Sequence, residues 1–164
     1  MASGRPRKRG PIQVLNRTSS FLIVALIFSF FSASVALSEV QTRIRVIGAS
    51  NTNIPVPTPI DPYLRDIYRD LGALFSFNSY RLLQDMNLRL AGNRPVDVIV
   101  HPGRSLEITL IGEHRNLIEL RIRVKREGSS ILITHVRLGS GRTILIGGPR
   151  HGEATLIFAI SGRF

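Results

Sequence analysis

The stretch LIELRIRVKREGSSILITHVRLGSGRTILIGG (residues 117–148) alternates apolar and polar side chains in three successive runs. Alternation with a period of two places successive side chains on opposite faces of a β-strand. The runs are separated only by EGS and GSG. Connections this short favour antiparallel strands, because a parallel crossover needs about a dozen residues or more. The stretch therefore predicts part of an antiparallel sheet.

Similar runs stand on both sides of this stretch: VQTRIRVIGASN (40–51), SYRLLQDMNLRLA, PVDVIVH, SLEITLIG and ATLIFAIS. The run that begins SYRLLQ also fits a second helix. We expect a mainly β (α+β) fold with about six to eight strands in an antiparallel meander. A sandwich or a small open barrel would satisfy this pattern equally well.

One segment, DPYLRDIYRDLGALFSF (61–77), has the period of an amphipathic helix that packs on the sheet. Asp61 is placed to cap it and Pro62 suits its first turn. Its apolar face consists of Leu64, Ile67, Tyr68, Leu71, Leu74 and Phe75. On the opposite side, Asp66 and Arg69 are spaced to pair. The preceding TNIPVPTPIDP (52–62) is rich in proline and is interpreted as a linker.

The chain begins with a basic leader followed by an apolar stretch. Residues 1–38 contain no acidic residue, and FLIVALIFSFFSASVAL (21–37) carries no charge. This order is typical of a signal peptide, with cleavage after Ala36. The alternatives are an uncleaved membrane anchor, for which about 25 Å of helix is short, and a buried core helix. With a signal or an anchor, residues 39–164 lie outside the cytoplasm, in the periplasm or anchored to the inner membrane.

These features divide the chain into three parts. Residues 1–38 are a signal peptide or membrane anchor, and residues 39–60 hold the first strand and the proline-rich linker. Residues 61–164 form the helix plus the antiparallel β domain. If the leader is retained, residues 21–37 provide membrane contact.

The composition excludes several function classes. The chain has 164 residues, a net charge of +11 and no cysteine, which excludes disulfides, thiol nucleophiles and cysteine metal sites. The histidines stand singly in the sequence, without metal-ligand spacing: His101, His114, His135 and His151. Because no catalytic motif is present either, we expect a non-enzymatic protein with no catalytic residues, no cofactor and no metal.

The run RLGSGRTILIGGPRHGE (137–153) contains five glycines. A phosphate-binding loop would need a lysine after a glycine and a helix that follows, and this run has neither. We therefore expect its glycines to form the turns of two consecutive hairpins.

A basic stripe runs along one face of the predicted sheet. Arg121, Arg123 and Lys125 share one parity of a strand, and Arg137 lies on the next strand. The simplest interpretation is a solvated face, and the functional hypothesis is contact with an envelope protein or an anionic envelope surface. Like charges on adjacent strands repel, so we expect an acid nearby. The candidates are Glu107, Glu113 and Glu119. Nucleic acid is not expected, because no aromatic platform accompanies the arginines.

Two sets of residues carry a resemblance to known families. The first is Thr134, Val136, Gly141, Thr143, Ile146, Gly147 and Gly148. Through them, residues 134–149 resemble the C-terminal hairpin of secretins, the outer-membrane export channels, although Pro149 departs from that pattern. The second set is IGASN (47–51), Asp61-Pro62 and SYRLL (79–83). These resemble small uncharacterised exported proteins of Gram-negative bacteria, which implies an envelope location but no activity.

Together these observations predict a non-enzymatic exported binding or adaptor domain, associated with a secretion or pilus system. Its expected contact residues are Arg121, Arg123, Lys125 and Arg137. The first alternative is a small-ligand carrier or enzyme with a pocket between the sheet and the helix residues Leu71, Leu74 and Phe75. The second is a membrane-anchored structural subunit, which requires an uncleaved leader.

Overall fold

The structure is a computed structural model, and it describes residues 39–52 and 61–164, which belong to one compact unit. The leader 1–38 and most of the proline-rich linker lie outside these residues, so the predictions made for them stay predictions. The described strands are β1 Glu39–Ser50, β2 Ser79–Ala91, β3 Pro95–His101, β4 Arg104–His114, β5 Leu117–Arg126, β6 Ser129–Gly139, β7 Thr143–His151 and β8 Ala154–Arg163. A 3-10 turn (Pro62–Leu64) and helix α1 (Tyr68–Leu74) stand between β1 and β2.

The strands form two antiparallel sheets of four strands each. Sheet A has the order β2-β1-β8-β7, and sheet B has the order β3-β4-β5-β6. The predicted mainly β fold with one packed helix is confirmed, and the sandwich is the alternative that the structure adopts. Sheet B is a simple meander, whereas sheet A places the first strand beside the last.

The connection from β6 to β7 differs from the prediction. We expected GSG (139–141) to turn a hairpin, but β6 belongs to sheet B and β7 to sheet A. Gly141 has a φ of +73°, and its amide donates to the Gly162 carbonyl at 2.8 Å. The glycine therefore lets the chain turn from sheet B to sheet A, where its amide is hydrogen-bonded to the end of β8.

The main core lies between the two sheets. In β5 the buried side chains are Ile118, Leu120, Ile122 and Val124. They face buried residues of sheet A such as Ile44 and Phe158. β5 buries only this face, which is why its sequence alternates.

A smaller core covers part of the outer face of sheet A. β2 contains a bulge at Leu83, where its register to β1 shifts. The bulge turns Tyr80 and Leu82 to the outer face, where the helical segment packs. The buried members of this core are Ile47, Ala49, Leu64, Ile67, Leu71, Tyr80, Ile157 and Ala159.

The helical segment is shorter than the helix predicted over 61–77. Asp61 caps its start as predicted and accepts from the Tyr63 amide at 3.1 Å. The segment then breaks after Leu64, and Asp66 bonds Arg45 instead of Arg69. Arg45 is only 2% exposed, and leaving a buried charge unpaired costs far more free energy than leaving an exposed charge unpaired. Asp66 therefore pairs with Arg45.

The run 79–91 is a strand and not a helix. In the part of the chain that the structure describes, no helix combines the length and the apolar character needed to cross a bilayer. The apolar stretch 21–37 lies outside that part.

Candidate functional site

The outer face of sheet B carries the four predicted contact residues. Arg121, Arg123 and Lys125 project from β5 on the side opposite the core, and Arg137 lies on the edge strand β6. The structure therefore brings them onto one face, as their shared parity predicts. Their role in binding a partner stays a prediction.

Acids from the neighbouring strands neutralise much of this stripe. Glu107 on β4 lies 2.8 Å from Arg123 Nη1 and 2.5 Å from Lys125 Nζ, and Asp97 on β3 lies 3.0 Å from Lys125 Nζ. The hydrogen bonds that Lys125 donates to Glu107 and then to Asp97 raise the pKa of Lys125. Opposite charges on adjacent strands stabilise the pairing, so the expected acid partner is confirmed for Glu107.

The remaining two cations differ from each other. Arg137 is paired with Glu119, the second expected acid, at 2.7 Å. Arg121 lies between Thr109 and His135 and has no acid within 4.0 Å among the described residues. Its buried Nε also has no hydrogen-bond partner there. Arg121 is thus the uncompensated charge of the stripe.

Exposed isoleucines flank the charges on this face. Ile133 on β6 is 54% exposed, and Ile99 on β3 is 73% exposed, at the opposite edge of the sheet. From Leu132 to Gly139, β6 pairs with β5 without a register shift, and no other strand of the described residues pairs with its opposite side. Such an edge presents unpaired backbone groups to another chain.

Two of the four histidines come together through the fold. The rings of His101, at the β3–β4 turn, and His151, at the β7–β8 turn, have centroids 4.0 Å apart. Arg104 adds a further contact by donating to the Arg150 carbonyl. Desolvation, then repulsion from His101 and Arg104, lowers the pKa of His151. Among the described residues no group of three or more possible metal ligands is found.

A second surface lies on the part of the outer face of sheet A that the helical segment leaves open. It is a groove with a volume of about 1010 Å³. Its floor is formed by β1, with walls from β2, from the ends of β7 and β8, and from Asp66. The polar residues that line it are Gln41, Thr42, Arg43, Arg45, Asp66, Asp85, Asn87, Arg89, Thr143, Ser161 and Arg163.

Two of the four arginines in this groove are neutralised. Arg43 bonds Asp85 through two nitrogens, at 2.9 and 2.5 Å, and Arg45 bonds Asp66 in the same way, at 2.6 and 2.9 Å. These bonds lower the pKa of both carboxyl groups and raise that of Arg43. The structure shows no acid within 4.0 Å of Arg89 or of Arg163, the other two arginines, among the described residues.

The groove differs from the pocket expected in the small-ligand alternative. Leu71 is fully buried against sheet A, and Leu74 points to solvent with 66% exposure. Neither residue lines the groove, and neither does Phe75. Sequence reasoning missed the groove because its residues come from four strands whose neighbours are distant in the chain. The visible signal was the polar alternation of Gln41, Arg43 and Arg45.

Comparison with known proteins gives one weak similarity. Neither protein-family models nor curated proteins match the chain. Among solved structures, the type II secretion system secretin XcpQ from Pseudomonas aeruginosa is similar, with a TM-score of 0.45 and 11% sequence identity. The match covers 88% of this chain and 63% of the secretin chain, less than two thirds of its length. A similarity this weak shows nothing about residues 134–149 in particular, and their resemblance to secretins stays a prediction.

Proposed function

We propose that the protein is a non-enzymatic binding or adaptor domain of the bacterial envelope that serves a secretion or pilus system. Its partner would be an envelope protein that adds an extended strand to the free edge of β6. The observation that carries this proposal is the regular edge from Leu132 to Gly139, which contains no proline and presents Ile133 to solvent. Strand addition supplies main-chain hydrogen bonds for affinity and side-chain contacts for specificity.

The other edge strands are less suited to strand addition. β3 is only seven residues long and begins with Pro95. β7 has a register shift next to Pro149. β2 and β6 each have one bulge, but outside its bulge β2 presents the charged Asp85 and Arg89, whereas β6 presents Ile133. Prolines, bulges and short lengths are the features that protect natural edges from pairing. This contrast supports β6 as the docking edge.

The basic stripe would set the charge of the partner. Outward side chains alternate along β6 as Ile133, His135 and Arg137, with Arg121 on the adjacent strand. A partner strand that places an apolar and then an acidic side chain beside them would be favoured. Arg123 and Lys125 are already paired with acids, so we expect Arg121 to contribute most of the attraction.

The proposal is tested by photo-crosslinking from the intact chain in its native envelope. A photoreactive amino acid replaces His135, and the yield of the adduct is compared between Ile133→Lys on β6 and Ile99→Lys on β3. Both changes add one charge to an exposed isoleucine of the same face. We expect Ile133→Lys to reduce the adduct at least about tenfold, because a protruding lysine blocks an edge.

The control Ile99→Lys should leave the yield within about twofold, since β3 is at the far edge of sheet B. The crosslinked peptide of the partner should map to an extended segment with acidic residues. An equal loss in both variants, no loss in Ile133→Lys, or an adduct to a helix would overturn strand addition at β6.

A further inference from the structure

The groove on sheet A has a basic row at one end. The register places Gln41 opposite Arg89 of β2 on one side and opposite Arg163 of β8 on the other. All three side chains line the groove. Two interstrand spacings of about 4.8 Å put the Cα atoms of the two arginines about 10 Å apart, with a neutral amide between them.

The two arginines of this row, Arg89 and Arg163, are available to bind an anionic ligand. The arginines of the deeper rows, Arg43 and Arg45, already hold Asp85 and Asp66 through bidentate bonds. Each of those guanidinium groups is occupied by one carboxylate. Arg89 and Arg163 are exposed and have no such partner among the described residues, so the groove retains a charge of about +2.

On the Arg43 side of this row, three neighbouring side chains can form hydrogen bonds and carry no charge, and on its other side Glu39 is the next residue of β1 with the same parity as Gln41. Asn87, Ser161 and Thr143 lie in the row next to Gln41, across the same strands. An anion with oxygens on several sides can accept from both guanidinium groups and from these amides and hydroxyls together. A single carboxylate, with its two oxygens in one plane, would engage only one guanidinium fork.

We propose that this end of the groove binds a phosphate group, with Arg89 and Arg163 as the charged ligands and Gln41 between them. The ligand carries phosphate either as a soluble anion or as the headgroup of an anionic phospholipid. β1 begins at Glu39, two positions after the apolar stretch 21–37. If that stretch is retained in a bilayer, four positions of chain separate its end from Gln41, which corresponds to at most about 13 Å of extended chain between the membrane surface and the row.

This proposal is independent of strand addition at β6, because the row lies on the other sheet. The test uses the full chain in micelles of an uncharged detergent at constant ionic strength. Binding is followed by NMR, on the side-chain signals of Gln41, Arg89 and Arg163. One arm adds inorganic phosphate, and the other adds phosphatidylglycerol to the micelles, with phosphatidylcholine as its zwitterionic comparison.

We expect saturable shifts at these three side chains in at least one arm, and at least a tenfold weaker affinity in the double variant Arg89→Gln/Arg163→Gln. A response to both additions identifies phosphate as sufficient. A response to phosphatidylglycerol alone identifies the lipid headgroup as the source. Either result supports the site.

The matched control is Arg126→Gln/Arg150→Gln, which removes two exposed arginines that do not line the groove. Its affinity should stay within about twofold of the unchanged chain. Equal weakening in the two double variants would show attraction by total charge and would overturn the site. Shifts spread over all exposed arginines, or none in either arm, would overturn it as well.

Discussion

Arg45 shows how one residue shapes the chain around it. It follows Arg43 in the alternation of β1, and both should face solvent by pattern alone. The helical segment covers Arg45 to 2% exposure, and its guanidinium also donates to the Tyr63 carbonyl at 3.0 Å. An interior guanidinium that has three hydrogen bonds is stable there, whereas one without its carboxylate is costly.

We expect Asp66→Asn to lower the free energy of unfolding by about 1–2 kcal/mol at pH 7, less than for a fully buried pair because the Asp66 side chain is 60% exposed. The pKa of Asp66 is lowered in the folded protein, so its contribution is present above pH 3.8 and is lost as pH falls through the lowered pKa. Urea denaturation measures the change. The control Asp70→Asn, at an exposed position of the same segment, should have little effect, and an equal effect would contradict the role of Arg45.

The glycine pair in β7 provides a second residue-level prediction. A Cβ at Gly148 would lie 2.6 Å from Phe158 Cε2 and 3.1 Å from the Leu156 carbonyl oxygen. At Gly147 the nearest atom would be Phe75 Cε1, at 3.4 Å. We expect Gly148→Ala to destabilise the protein by about 1–3 kcal/mol, because a well-packed core resists added volume.

Gly147→Ala is the matched comparison and should cost less than about 1 kcal/mol, since the Phe75 ring is half-buried and can shift slightly. Chemical denaturation followed by circular dichroism measures both. If the two alanines cost the same, the contact with Phe158 does not decide the choice of glycine. The glycines of Ile-Gly-Gly would then serve the backbone alone.

At the scale of elements, the β3–β4 and β7–β8 hairpins meet at one end of the sandwich. Their contact joins sheet B to sheet A through His101 and His151, with Arg104 beside them. Three groups that carry or can carry positive charge thus converge where the two hairpin ends touch. Protonation of the imidazoles would set like charges against each other.

We expect acid to weaken this junction. The pKa of His151 is below its ordinary 6.5 in the folded protein, so the unfolded chain binds the proton more readily. Stability should therefore fall as pH drops below about 6.5 and level off below the lowered pKa. The melting temperature measured between pH 7.5 and 5 checks this direction.

His151→Asn should make the melting temperature less dependent on pH over this range. His114→Asn, at an exposed position in the turn region at the other end of sheet B, should leave the dependence unchanged. A steeper dependence in His151→Asn, or the same flattening in both variants, would show that the hairpin contact is not the sensitive group.

At the scale of the whole molecule, the sequence was informative wherever structure is local. The alternation in 117–126 gave β5 and its buried face correctly, and the basic stripe came onto one face with its acids beside it. The run 79–91 was ambiguous because the bulge at Leu83 interrupts its period of two. A bulge depends on the partner strand, which the run itself does not contain.

The pairing of distant strands could not be predicted from pattern. Nothing in the alternation of β1 says that its neighbours are β2 and β8, so the row of Arg89, Gln41 and Arg163 was invisible. For the same reason His101 and His151 were expected to stand singly. The basic stripe could be predicted because its four contact residues lie on one hairpin. The groove could not, because it is built from strands that are distant in the sequence.

The pairing of β1 with β8 affects the order in which the domain folds. The two strands pair from Gln41 with Arg163 to Ala49 with Thr155, so the first of the described strands needs the last of them. Sheet B can assemble from consecutive strands as they emerge, whereas closing β1 onto β8 spans about 120 positions and is slow. A chain interrupted before Ala154 would leave β7 without the strand it pairs with and one edge of β1 open. The sandwich therefore closes only after β8 has been synthesised, and a product that lacks β8 stays open to proteases.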